Sequence, residues 1–182
     1  MKRTLFALAL AAALPMSAQA AERSYSYVEL DYVNVDSNAD GFGVRGSIDF
    51  AESNFYGFGS YTNVDVEIGN TNFDVDGFEV GVGYHHALND SADLIGEVAY
   101  QNVEVLGFDA DGYRVSGGFR GNLAENFEGL VKLNYLDGNN TDGDFTGTLG
   151  AQFKFSETWG VTGEVEFFDG GQSYLVGVRA SF

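Results

Sequence analysis

The sequence predicts an all-β chain that closes into an antiparallel transmembrane β-barrel of ten strands, with eight as the alternative. Three observations carry this expectation. First, apolar and polar residues alternate with period two in one segment after another, as in Phe42, Val44, Gly46, Ile48 and Phe50 against Gly43, Arg45, Ser47 and Asp49. Second, an acidic residue followed by glycine recurs at Asp40-Gly41, Asp76-Gly77, Asp111-Gly112, Asp142-Gly143 and Asp169-Gly170. The first three copies lie 36 and 35 residues apart, which is the length of a β-hairpin unit. Third, the 182 residues hold 16 Phe, 10 Tyr and 25 Gly but no Cys and a single Pro. That balance suits tight Asp/Gly turns in a sheet without exposed edges.

The chain opens with Lys2 and Arg3, an apolar stretch from Leu5 to Leu14 and the small-residue exit Ala18-Gln19-Ala20. This pattern predicts a secretory signal peptide over residues 1–20, cleaved near Ala20 after export through the Sec route, because the apolar stretch is too short to span a bilayer. Residues 21–182 are then the barrel domain. With Pro15 in the leader, that domain has no proline, and without cysteine it has neither a lipid anchor nor a disulfide.

Five strands are expected to follow the Asp-Gly marks, starting near Phe42, Phe78, Tyr113, Phe145 and Tyr174. Their partners cover about 25–34, 55–66, 94–104, 127–136 and 159–168. Short polar turns at 52–54, 89–93, 122–126 and 156–158 alternate with longer acidic loops around 35–41, 67–77, 106–112, 137–144 and 169–172. An even strand number with short turns at one end and longer loops at the other is the pattern of a bacterial outer-membrane barrel with both termini in the periplasm.

Aromatic residues on the apolar faces sort into two rows. Phe50, Tyr56, Phe119, Phe127, Phe155, Trp159 and Phe182 lie beside the short turns; Tyr32, Phe42, Phe78, Tyr100, Tyr113, Tyr135, Phe167 and Tyr174 lie beside the long loops. The eight steps from Phe42 to Phe50 span about 26 Å, which places the rows at the two rims of an apolar band. A soluble β-sandwich, the competing reading, has no use for paired aromatic rows.

The polar faces collect the charge. Glu29, Asp31, Arg45, Asp49, Glu79, Glu97, Arg114, Arg120, Glu128, Lys132, Lys154, Glu164, Glu166 and Arg179 all take the inward parity of their strands. Charges in a narrow lumen must be paired or hydrated, so a lumenal salt-bridge network is expected. Read blandly, it stiffens a polar core; read functionally, it lines a selective pore. Arg23 falls outside the strands. The net charge of −18, with no Lys or Arg in the long loops, excludes nucleic acid as a partner.

Asp36-x-Asn38-x-Asp40-Gly41 matches the start of a calcium loop, and Asp74, Asp76 and Gly77, then Asp109, Asp111 and Gly112, match it in part. Alternate carboxylates before a glycine turn can converge on one cation, but the bidentate Glu of a full calcium loop is absent. Weak Ca²⁺ or Mg²⁺ binding at the outer rim is the most these residues suggest, with no firm metal site and no cofactor. A catalytic site is not expected: the two histidines, His85 and His86, are adjacent on a strand and point to opposite faces, His85 into the lumen and His86 into the belt.

The alternating C-terminal segment from Tyr174 to Phe182 resembles the strand by which barrel-assembly machinery recognises its substrates. Beyond this, the whole chain resembles a family of small outer-membrane proteins of xanthomonads labelled sulfation-dependent quorum factors. The resemblance runs from Met1-Lys2-Arg3 and Ala20-Ala21-Glu22 through Ser24-Tyr25-Ser26-Tyr27-Val28-Glu29, Ala39-Asp40-Gly41, Gly81-Val82-Gly83-Tyr84 and Trp159-Gly160-Val161 to the last strand. It implies a quorum-sensing or biofilm-related signalling role and a sulfated tyrosine corresponding to Tyr25.

Together these readings predict a non-enzymatic, monomeric outer-membrane barrel with a structural or surface-interaction role, its outer loops meeting lipopolysaccharide and cations. A small cation-preferring channel is the alternative, and the signalling role a further one.

Overall fold

A computed structural model describes residues 23–182 apart from 37–38, 51–52, 69–70 and 140; the expected leader and Asn38 lie outside the described residues. Ten strands follow in order: β1 (Tyr27–Val35), β2 (Ala39–Asp49), β3 (Phe55–Ile68), β4 (Thr71–Asn89), β5 (Ala92–Val105), β6 (Phe108–Ala124), β7 (Phe127–Gly138), β8 (Thr141–Lys154), β9 (Trp159–Phe168) and β10 (Gly171–Ser181). Each pairs antiparallel with its sequence neighbours, and β1 pairs with β10 to close the barrel. Closure removes the unpaired backbone edges that a bilayer does not tolerate. The count is ten, not eight.

Every strand turns its apolar parity outward. Leu30, Val44, Ile48, Val82, Val98, Leu133 and Val176 are all exposed on the barrel exterior. A continuous belt of this kind is stable only against lipid, so the barrel wall is the membrane-spanning unit. Exposed aromatics rim it on both sides, Phe42, Tyr61, Phe78, Tyr100, Tyr113, Phe145 and Tyr174 above, Phe50, Phe55, Tyr84, Phe127, Phe155, Trp159 and Phe182 below.

One aromatic assignment is overturned. Tyr56 is not in the lower belt; it faces the lumen at 4 % exposure, and its neighbour Phe55 takes the lipid side. Both parities of this strand start with an aromatic residue, so alternation alone cannot choose between them. Pairing chooses: Tyr56 lies opposite Gly83, whose missing side chain makes room for the ring, since a Cβ there would sit 2.1 Å from the ring's Cζ.

The long acidic loops are also corrected, because most of them are strand. β4 runs for 19 residues and β6 for 17, against 9 for β1, so one wall of the barrel rises above the aromatic rim. Alternation continues there with its polarity reversed. Asp40, Asp65 and Asp74 form one outward row across β2, β3 and β4, and Asp76, Glu104 and Asp109 another. Inward, Leu175, Val33, Val64, Val75 and Val105 share a row, and Val33, Ala39 and Val64 form a buried cluster. Above the bilayer the exterior meets water, so the apolar side turns in. The Asp-Gly copies at Asp40, Asp76 and Asp111 are therefore inside strands; only Asp169-Gly170 is a turn, with Gly170 at φ 90° joining Phe168 to Gly171. A second tight turn, Leu106-Gly107, has positive φ at both residues and joins Val105 to Phe108.

Candidate functional site: a charged lumen

Among the described residues, the lumen gathers most of the buried charge. Strand register builds its centre directly: Glu29 on β1 lies opposite Arg45 on β2 and Arg179 on β10. Both guanidinium groups donate to its carboxylate, and the Thr162 hydroxyl adds a third donor at 2.9 Å. Glu29 is fully buried, and three donors are what an enclosed carboxylate needs to stay ionised at tolerable cost. Arg45 is the hub. Its Nε donates to Asp31 at 2.8 Å and its Nη1 to Glu164 at 3.1 Å, which ties β1, β2 and β9 together. Asp31 fits because Gly177 faces it: a Cβ there would stand 2.2 Å from its Oδ1.

Further ion pairs fill the lumen above and below. Toward the end with the long strand extensions Arg114 lies 3.5 Å from Glu79 and 3.7 Å from Glu166, with the Gln101 amide donating to Glu79 at 2.7 Å and the Thr146 hydroxyl to Glu166 at 2.6 Å. At mid-height Lys132 and the Tyr56 hydroxyl converge on Glu97 at 3.1 and 2.7 Å. Near the short-turn end Glu128 bridges Arg120 at 2.8 Å and Lys154 at 2.5 Å. His85 points inward to lie 3.5 Å from Asp49, while His86 is exposed on the lipid side. All fourteen charged residues assigned to the lumen by alternation thus face inward; thirteen meet a Lys, Arg or carboxylate of opposite charge, and Asp49 lies beside His85.

Two charged partners in this lumen escaped the sequence. Asp93 is 3 % exposed and binds Arg23 at 2.8 Å. It shares the parity of Ile95 and Glu97, a signal masked by its place in an apparent turn. Arg23, outside the strands, has no periodicity to place it. Tyr25, the tyrosine singled out by family resemblance, is 4 % exposed and donates its hydroxyl to Asp93 at 2.8 Å. In the folded barrel that oxygen is enclosed, and a sulfate on it would break the bond and bury a second anion against Asp93.

Between the ion pairs a cavity of about 80 Å³ remains, lined by Tyr25, Tyr27, Tyr56, Arg120, Lys132 and Gln152 among others. It has room for a few waters, and the buried Gln152 Nε2, without a hydrogen-bond partner in the protein, is the kind of group that ordered water satisfies.

The proposed rim carboxylates sit elsewhere. Asp40, Asp74, Asp76, Asp109 and Asp111 lie on the strand extensions above the aromatic rim, and Asp36 sits in the turn after β1, accepting from the Gln172 backbone N–H at 2.9 Å. Extended backbone spreads alternate carboxylates along one side instead of wrapping them around a point. No group of three or more His, Cys, Asp or Glu side chains with metal-site geometry occurs among the described residues. What the acids do instead is accept from the belt below. Asp76 receives the Tyr61 hydroxyl and the Asn63 amide, and Asp111 the Tyr100 hydroxyl and the Asn102 amide. These donors hold both carboxyls below the usual aspartate range, whereas the Asp74 carboxyl facing Asp65 across the strand pair pushes that group up.

No family model matches the chain, and no curated protein does. Among solved structures it is similar to the KdgM porin, at 18 % identity and TM-score 0.55 over 86 % of this chain and 99 % of that one. A KdgM porin in complex with disordered oligogalacturonate gives 16 % identity and TM-score 0.57 over 86 % and 99 %. The NanC porin gives 10 % and 0.56 over 86 % and 100 %. At these identities the likeness is one of fold: a closed antiparallel β-barrel of the porin type.

Proposed function

We propose that this chain is a non-enzymatic outer-membrane barrel acting as a narrow, cation-preferring channel whose resting state is bridged by ion pairs. The observation that carries this reading is the lumen itself. Its wall bears charge from end to end, with acids outnumbering bases, and each ion pair between wall residues joins two strands instead of lying along one. An excess of fixed acids favours cations in a pore. The porin fold supports transport, and the small residual cavity points to ions and water, not oligosaccharides, as what passes. Conductance across a planar bilayer tests it: refolded mature protein in a salt gradient gives small stepwise openings with a cation-favouring reversal potential. Silence at all voltages, or anion preference, overturns it.

A structural and surface-interaction role is the second reading, favoured by the outward acidic rows above the aromatic rim. They stand at the level of lipid headgroups, where Ca²⁺ or Mg²⁺ would link them to lipopolysaccharide phosphates. Assembly through the C-terminal strand fits either reading, since Phe182 ends beside β1 with its N–H on the Ser26 carbonyl.

A further inference from the structure

We infer that residues Arg23–Ser26 form a releasable latch across the periplasmic mouth of the lumen, a regulation that rests on the channel reading above. The segment precedes β1 yet binds to the far side of the barrel. The Arg23 guanidinium donates to both Asp93 oxygens at 2.9 and 2.8 Å and to the Asp90 carbonyl at 3.0 Å. Asp90 lies in the β4–β5 turn and Asp93 at the start of β5, and β1 reaches β5 only through three intervening strands one way round and five the other. Tyr25 lies in the middle of the span. Its ring stacks on His85 at 4.1 Å and sits 4.9 Å from Tyr56, with Arg120 of β6 over its face at 4.7 Å. Arg120 also donates to the Ser24 carbonyl at 3.0 Å. On the near side Ser24 donates to the Phe182 carbonyl, and Ser26 accepts the Asp49 N–H.

The manner of attachment separates this closure from the central ion pairs. Those pairs join strands, so parting them deforms the wall. On the far side the latch is held by side chains on Asp93 and by two side-chain-to-backbone contacts, Arg23 on the Asp90 carbonyl and Arg120 on the Ser24 carbonyl, with no strand pairing. Asp93 receives three of the donors, so its state decides the latch: without it Arg23 and Tyr25 lose their shared acceptor while the barrel ladder stays whole. Directly above the latch lies the polar cavity, so release opens that cavity to the periplasm.

A cysteine in the cavity reads this out. Gln152→Cys in the refolded mature protein, otherwise cysteine-free, is titrated with a cationic methanethiosulfonate, with and without Asp93→Asn or Tyr25→Ala. Release raises the labelling rate at least about tenfold, the weight of one hydrogen bond to a charged group. A cysteine at Thr62, at the extracellular end, keeps its rate. Folding is read from the heat-dependent gel mobility of the barrel; if either variant fails to fold, Arg23→Gln, which leaves Tyr25 on Asp93, replaces it. Unchanged Gln152→Cys labelling in folded variants overturns the latch whether or not the protein conducts. Faster labelling with electrically silent bilayers sustains the latch and overturns the channel.

Discussion

The Tyr100 hydroxyl donates to the Asp111 carboxylate from the neighbouring strand, one step above the lipid boundary. Tyr61 and Asp76 repeat the arrangement one hairpin earlier, so the recurring Asp-Gly pair marks the height at which the belt tyrosines find their acceptors. Tyrosine suits this place because its ring rests against lipid while its hydroxyl reaches a wet carboxylate.

Titration separates these acids. Asp76 and Asp111 have folded pKa values below the usual one, so what they add to stability is present above the unfolded pKa and is lost as pH falls through the folded one. Asp65 has the opposite sign: its raised pKa makes the fold gain as pH drops through that value. Carbon-13 carboxyl titration places Asp65 above, and Asp76 and Asp111 below, free aspartate; Tyr100→Phe returns Asp111 toward the usual range.

Arg45→Met strands Glu29 and Asp31, both buried, without their shared partner. The expected cost is about 3–5 kcal/mol, read as a lower urea midpoint of unfolding from lipid vesicles. Adding Glu29→Gln to the same chain recovers part of it.

Gly83→Ala drives a methyl into the Tyr56 ring. Overpacking costs about 1–3 kcal/mol, and Tyr56→Ala relieves it, so the double variant loses less than the two single losses combined. A double-mutant cycle by denaturant unfolding measures this.

Exterior position is tested by charge. Val98→Arg, at mid-wall on the lipid side, costs about 2–4 kcal/mol. Asp109→Arg, on the extension above the rim, stays within about 0.5 kcal/mol. Equal costs at the two sites would contradict the boundary drawn by the aromatic rows.

Period-two alternation made the lumen legible, because inward parity is a local property: Arg45, Glu97 and Arg179 each follow from their own strand. It failed where parity stops being informative. Tyr56 and Phe55 differ only through Gly83 on another strand, and Arg23 has no strand to belong to. Asp74 and Asp109 looked like loop residues because acids on an outward face contradict a lipid exterior; they continue the strand into water, where the rule reverses. The ion pairing itself, such as Arg45 with Glu164 across 119 residues, follows only from closure.

Closure also completes the surroundings of Glu29. Glu29 stands at the seam between the first and last strands and takes donors from β2, β9 and β10 together. A chain missing its last strand therefore leaves Glu29 with Arg45 of β2 but without Arg179, beside an open edge, while a complete one encloses both. The full set of donors on Glu29 is present only when the last strand closes the wall.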